Sequence, residues 1–162
     1  MSRPNQETTI REMTGDDGAQ VIQIAESLPE WFSDRARRSA IPTDIQHQEG
    51  FVAIRNGLVV GFATIYVAEG RLNIGWMGVR RDLRREGIGT ALLGWVEERA
   101  SELGIGEIAT YTLGDGVDYA PYEQTRAFYF GNGFEIYQCS QTDNPSCLEE
   151  IRIRKRVSLP NE

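Results

Sequence analysis

The chain has 162 residues, 24 of them acidic and 17 basic, for a formal charge of −7. Its 40% hydrophobic and 9% aromatic residues exclude a disordered chain. The acidic balance argues against a nucleic-acid partner, which would call for a basic face, and no run of 18 apolar residues predicts a membrane span.

Read in chain order, the N-terminus opens no apolar run, so no signal peptide is expected and the predicted compartment is the cytoplasm. Thr8 to Met13 reads as a short strand, and Thr14-Gly15-Asp16-Asp17 as a turn with a helix cap. Val21, Ile22, Ile24, Ala25 and Leu28 suit a short amphipathic helix. Pro29 suits the first turn of a second helix through Trp31 to Ala40. His47, the sole histidine, lies in a polar stretch that reads as an exposed connection. Phe51 to Arg55 and Leu58 to Ala68 flank Asn56-Gly57, the preferred two-residue hairpin turn. A further turn at Glu69-Gly70 leads into a strand from Leu72 to Val79.

Ile88, Ala91, Leu92, Trp95, Val96, Ala100 and Leu103 then predict one face of a long helix, stopped by Gly104. Ile108 to Leu113 is a strand, Pro121 to Gly131 a helix, and Phe134 to Cys139 and Leu148 to Val157 the last strands. In the final one, Ile151, Ile153 and Val157 alternate with Arg152, Arg154 and Arg156, which suits one buried and one wet face, with the arginines guarding an edge. Cys139 and Cys147 read as two reduced thiols, with one disulfide between them as the alternative. The order predicts a mixed α/β fold with a mainly antiparallel sheet and a βαβ crossover around residues 72–113.

All basic residues but Lys155 are arginine, and they cluster at Arg80, Arg81, Arg84 and Arg85, and again at Arg152, Arg154, Lys155 and Arg156. The first cluster contains Arg84-x-x-Gly87-x-Gly89, between a strand end and a helix start. A helix N-terminus directs unpaired N–H groups outward, and glycine lets the backbone approach a phosphate closely. Arg84, Arg85 and the Thr90 hydroxyl add donors. No lysine completes a P-loop, and Leu92 stands where a dinucleotide fingerprint needs its third glycine. A tight turn with solvated arginines is the alternative for the loop taken alone.

Arg84-Arg85-Glu86-Gly87-Ile88-Gly89 with Thr90-Ala91-Leu92-Leu93, together with Phe128-Tyr129-Phe130-Gly131-Asn132-Gly133-Phe134, resembles the two signatures of the GNAT superfamily of N-acetyltransferases. The resemblance covers about residues 8–157 and implies a single domain over 1–162, with a six- to seven-stranded, mainly antiparallel sheet and about four helices. It implies acetyl-coenzyme A as co-substrate and no metal. Its pantetheine arm would lie on backbone of Met77, Gly78 and Val79, and its pyrophosphate over Arg84, Arg85, Glu86, Gly87, Ile88, Gly89 and Thr90. A family asparagine that helps hold pantetheine has no clear counterpart; Tyr122 or Thr125 lies near its place.

The resemblance implies direct transfer to a primary amine of a small molecule or peptide. Tyr129 matches the tyrosine that protonates the departing thiolate, a packing aromatic being the alternative; a backbone N–H near Met77 would face the oxyanion. Trp31 with Glu30 would hold a cationic acceptor, or else open a helix and join the core. Glu123, with Asp115 and Asp118 of the preceding loop, would favour the same cation or form a solvated loop. Glu30 and Glu123 are candidate bases, with a water chain an equal alternative. Two other classes stay open: a coenzyme A-binding regulatory module without catalysis, and an interaction domain, such as a homodimer sharing sheet edges through residues 134–157. The arginine-lined last strand argues against such pairing.

Overall fold

The computed structural model describes residues 7–114, 119–144 and 147–160. They form β1 (Thr9–Glu12), α1 (Gly18–Glu26), α2 (Ile41–Asp44), β2 (Glu49–Arg55), β3 (Leu58–Ala68), β4 (Arg71–Val79), α3 (Ile88–Glu102), β5 (Glu107–Leu113), α4 (Ala120–Gly131), β6 (Glu135–Asn144) and β7 (Cys147–Arg156). This is the order of strands and helices expected from the sequence. The strands make one seven-stranded sheet in the order β1-β2-β3-β4-β5-β7-β6. β1–β2, β2–β3, β5–β7 and β6–β7 pair antiparallel. β4 and β5 pair in parallel at Leu72↔Ile108 and Asn73↔Ala109, the crossover predicted through α3. No helix among the described residues is long and apolar enough to cross a membrane. Two compact units result, Met1–Tyr66 with Ile74–Glu98 and Val67–Asn73 with Arg99–Glu162.

In the first unit, Val21, Ile24, Ala25, Leu28, Phe32, Ile41, Val52, Val59 and Phe62 form a buried apolar cluster. The β2–β3 hairpin closes through Asn56 and Gly57, whose φ values of 52° and 75° are the left-handed pair that this turn demands. At the start of α1, Asp17 accepts the Thr14 N–H at 2.8 Å and both Arg11 Nη donors at 2.8 Å. These bonds, led by the one from Arg11, hold the buried Asp17 carboxyl below its ordinary value of 3.8. Its stabilising contribution is therefore complete above that value and lost as pH falls below it. D17N is expected to lower stability by about 1.5–3 kcal/mol at pH 7, and the difference from wild type should shrink at pH 3. Urea melts at the two pH values test this.

The second helix departs from expectation. Residues 29–32 make turns, with the Trp31 and Phe32 N–H groups donating to Leu28 O at 3.1 Å, so Pro29 opens no helix. Ser33 is the cap, its hydroxyl accepting the Ala36 N–H at 3.1 Å. A π-turn over Ala36–Ala40 precedes α2. Pro42 follows this wide turn, and a proline ring has neither the N–H nor the room for a regular bond to the carbonyl four residues back. The buried face of α3 is also shifted. Ile88, Leu92, Leu93, Val96 and Ala100 are buried, whereas Ala91, Trp95 and Leu103 are exposed. Trp95 still lays its ring against Phe51, 5.6 Å between centroids.

In the second unit, Gly104 and Ile105 turn their N–H groups back to Ser101 O and Ala100 O, ending α3 as a Schellman motif. Ile151 and Ile153 are buried, as their alternation predicted, whereas Val157, past the end of β7, is only half-buried. The arginines between them guard no edge, because β7 lies between β5 and β6. Cys139 is a free, exposed thiol. It pairs with Ile151, whereas Cys147 lies at the hairpin end opposite Asn144.

Candidate functional site

The loop after β4 is built to begin a helix. The Arg80 N–H donates to Val60 O at 2.8 Å, fixing the strand end. A single 3₁₀ turn over Arg81–Leu83 follows. Arg85 and Gly87 both take left-handed backbone, with φ of 66° and 82°. The first regular helical bond runs from the Ala91 N–H to Gly87 O at 3.0 Å. Ile88, Gly89 and Thr90 thus occupy the first turn, before that ladder begins. Ile88 is buried and orients the turn, with its Cγ2 3.2 Å from where a β-carbon on Gly61 would lie. A β-carbon on Gly87 would meet nothing within 4 Å. The space beside Gly87 is therefore open.

The arginines of this loop are not equivalent. Arg80 pairs with Asp82 at 2.8 Å and Arg81 with Glu30 at 2.6 Å. Glu86 is tied to Arg55 on β2 at 3.0 Å, so its carboxylate is engaged by the chain itself. Arg84 and Arg85 have no carboxylate partner among the described residues, and both are exposed. Desolvation, then the neighbouring charges of Arg81 and Arg85, push the Arg84 pKa down; an arginine nonetheless stays charged at neutral pH. Two positive charges without a salt bridge thus stand at a helix start, where the macrodipole adds to them; the Glu30 charge offsets that of Arg84 only in part.

In the other cluster Arg152 and Arg154 are paired, while Arg156 is exposed. Arg152 pairs with Glu150 and Glu69 at 3.5 and 3.7 Å, and Arg154 with Glu107 and Glu135 at 3.3 and 3.6 Å. Arg71 and Arg154 also cover the Tyr137 ring, at 4.7 and 5.4 Å.

Trp31 and Glu30, expected to face a cationic acceptor, both meet arginines of the chain itself. Arg84 Cζ lies 4.0 Å from the Trp31 ring centroid and Arg81 Cζ 5.7 Å from it. The Arg81 hydrogen bond holds the Glu30 carboxyl below its usual range, which weakens it as a base. Of the expected pantetheine strand, Gly78 is buried against Phe62 and Phe32, and Met77 and Val79 are half-buried. Thr64 emerges only from the structure: fully buried, it accepts the Trp76 N–H at 2.8 Å through its hydroxyl. A threonine inside the apolar run Val59 to Ile65 was its sequence signal.

In the second unit, Tyr129 is buried between Phe128 and Phe134, at ring distances of 5.2 and 5.1 Å. Burial pushes its pKa well up, opposed by a hydrogen bond with Thr110 on β5. The hydroxyl therefore keeps its proton throughout the neutral range. Arg126, also buried, donates to Gly114 O at 3.1 Å and holds the end of β5. Thr125 bonds back to Pro121 O at 3.2 Å within α4. Glu123 is exposed in the first turn of α4, where an acid suits the helix dipole. Asp115 and Asp118 lie outside the described residues. No group of three His, Cys, Asp or Glu among the described residues is placed to hold a metal ion.

The family model of the GNAT acetyltransferases matches residues 19–134, which include both signatures. The chain belongs to the GNAT acetyltransferase family. GNAT members are acyltransferases that use acetyl-coenzyme A. No curated protein matches the chain significantly. Among solved structures, a protein from Desulfovibrio desulfuricans assigned to the GNAT family superposes with a TM-score of 0.79 at 20% identity, covering 94% of this chain and 100% of that one. The ribosomal-protein-S18-alanine N-acetyltransferase of Escherichia coli gives 0.74 at 16% identity, with 96% and 97% covered. PaiA N-acetyltransferase of Thermoplasma acidophilum, solved with coenzyme A, gives 0.69 at 16% identity, with 93% and 99% covered. At these identities the superpositions establish the GNAT fold.

Proposed function

We propose that this GNAT protein moves the acetyl group of acetyl-coenzyme A to a primary amine of a small molecule or peptide. The reading takes residues 1–162 as one catalytic domain and transfer as direct, in a ternary complex. Arg84 and Arg85 carry it: they are the charges of their cluster that form no salt bridge among the described residues, at the start of α3 beside the open backbone of Gly87. A pyrophosphate supplies the missing negative charge and accepts the N–H groups of the first turn. The main chain of Glu86, Ile88, Gly89 and Thr90 would share that contact, and Met77 to Val79 would line the pantetheine. Tyr129, by its match to the family signature, is the proposed acid for the leaving thiolate, and its raised pKa keeps the required proton in place. The net charge of −7 and the exposed Glu123 favour a cationic acceptor.

Calorimetry with acetyl-coenzyme A, followed by thiol release across a panel of amines, tests the reading. Saturable binding and transfer to at least one amine are expected. Absence of binding would overturn it, and binding without transfer to any amine would favour a coenzyme A-binding module without catalysis.

A further inference from the structure

Trp31 sits in the turn after α1, held by its own N–H to Leu28 O and by the buried neighbours Leu28 and Phe32. Its ring packs partly against the core of the first unit, which fixes its orientation. Arg84 Cζ lies over that ring at 4.0 Å, well within cation–π range. Glu30, the adjacent residue, takes Arg81 instead, and Arg81 also donates to Ser27 O at 3.0 Å. The two arginines, which repel each other, share this corner: Arg81 is bonded by Glu30 and lies 5.7 Å from the Trp31 centroid, while Arg84 takes the closer place on the ring. An exposed arginine otherwise samples many rotamers, and ordering it on binding an anion costs affinity. A ring that already holds the guanidinium removes part of that cost, and the planar cation can stack while its edge donors stay available.

Resting on the phosphate reading above, we propose that Trp31 is a positioning residue of the cofactor loop, holding Arg84 ready for the pyrophosphate, rather than a contact for the acceptor amine. It acts through Arg84, so its effect requires that arginine.

The probe is coenzyme A itself, titrated calorimetrically into the full chain. W31L is expected to raise Kd by up to about tenfold, the cost of ordering one long side chain on binding. W31F, which keeps an aromatic face, should stay within about threefold of wild type. R84A should weaken binding at least as much as W31L, and the double variant should be no weaker than R84A alone. This coupling and the rescue by phenylalanine are readouts that a merely structural role for Trp31 would not produce.

Unchanged affinity in W31L while R84A loses it, or independent losses that multiply in the double variant, would overturn the proposal. Should W31L fail to fold, the exposed Arg84 carries the test. R84K keeps the charge but loses the planar stack, and wild-type affinity in R84K would overturn the proposal equally. A wild-type chain that does not bind coenzyme A would instead remove the phosphate reading on which this rests.

Discussion

Y129F is expected to lower turnover by at least about tenfold while coenzyme A binding survives, since proton transfer by a placed acid is commonly worth ~10²-fold or more. The substitution removes one oxygen and keeps the ring between Phe128 and Phe134. Its cost to folding should be confined to the lost bond with Thr110, about 1 kcal/mol. Because burial raises the Tyr129 pKa above the ordinary value of 10.0, the acid form persists through the alkaline range. Activity of the wild type should therefore show no decline from loss of this proton below about pH 10. Steady-state thiol release for the two proteins, combined with calorimetry, separates chemistry from binding. Equal turnover would remove Tyr129 from the mechanism and leave it as a packing aromatic with a satisfied hydroxyl.

Gly87→Ala should weaken coenzyme A binding by about five- to thirtyfold. At φ of 82° an L side chain carries a backbone penalty of about 1–2 kcal/mol. The loop can relieve that strain only by leaving the conformation that presents its N–H groups. The added methyl meets no protein atom, so any clash in the bound state would be with the ligand. Gly94→Ala is the contrasting case: Gly94 lies exposed within α3 with open space around it, and the substitution should stabilise by about 1 kcal/mol without changing affinity. Calorimetry and thermal melts on both variants distinguish a loop requirement from a helix preference. Wild-type affinity in G87A would show that the left-handed residue is dispensable for the site.

Much of the fold was legible because its signals are local. Asn56-Gly57 closes its hairpin by backbone preference at two adjacent residues, and Gly104 ends α3 the same way. The alternation of Ile151 and Ile153 with arginines was enough to set the buried face of β7. Where reading failed, a competing neighbour was responsible. Pro29 looked like a helix start, but Ser33 offered a better cap and Leu28 and Phe32 anchored the turn between them. Arginines on β7 looked like edge protection, but β6 pairs outside that strand.

The sequence by itself determined the order of the elements, the two signatures that mark a GNAT chain, and the place of the arginine clusters. Only the tertiary structure decided which positive charges are spoken for. Arg81 finds Glu30 across 51 positions of sequence and Arg55 finds Glu86 across 31, separations at which neither spacing nor periodicity carries information. Compensation of charge depends on distance in space, and a carboxylate a few ångströms away cancels what composition counts. The same rule bears on Trp31: its neighbour in sequence is Glu30, but the cations over its ring are Arg84 and, farther off, Arg81.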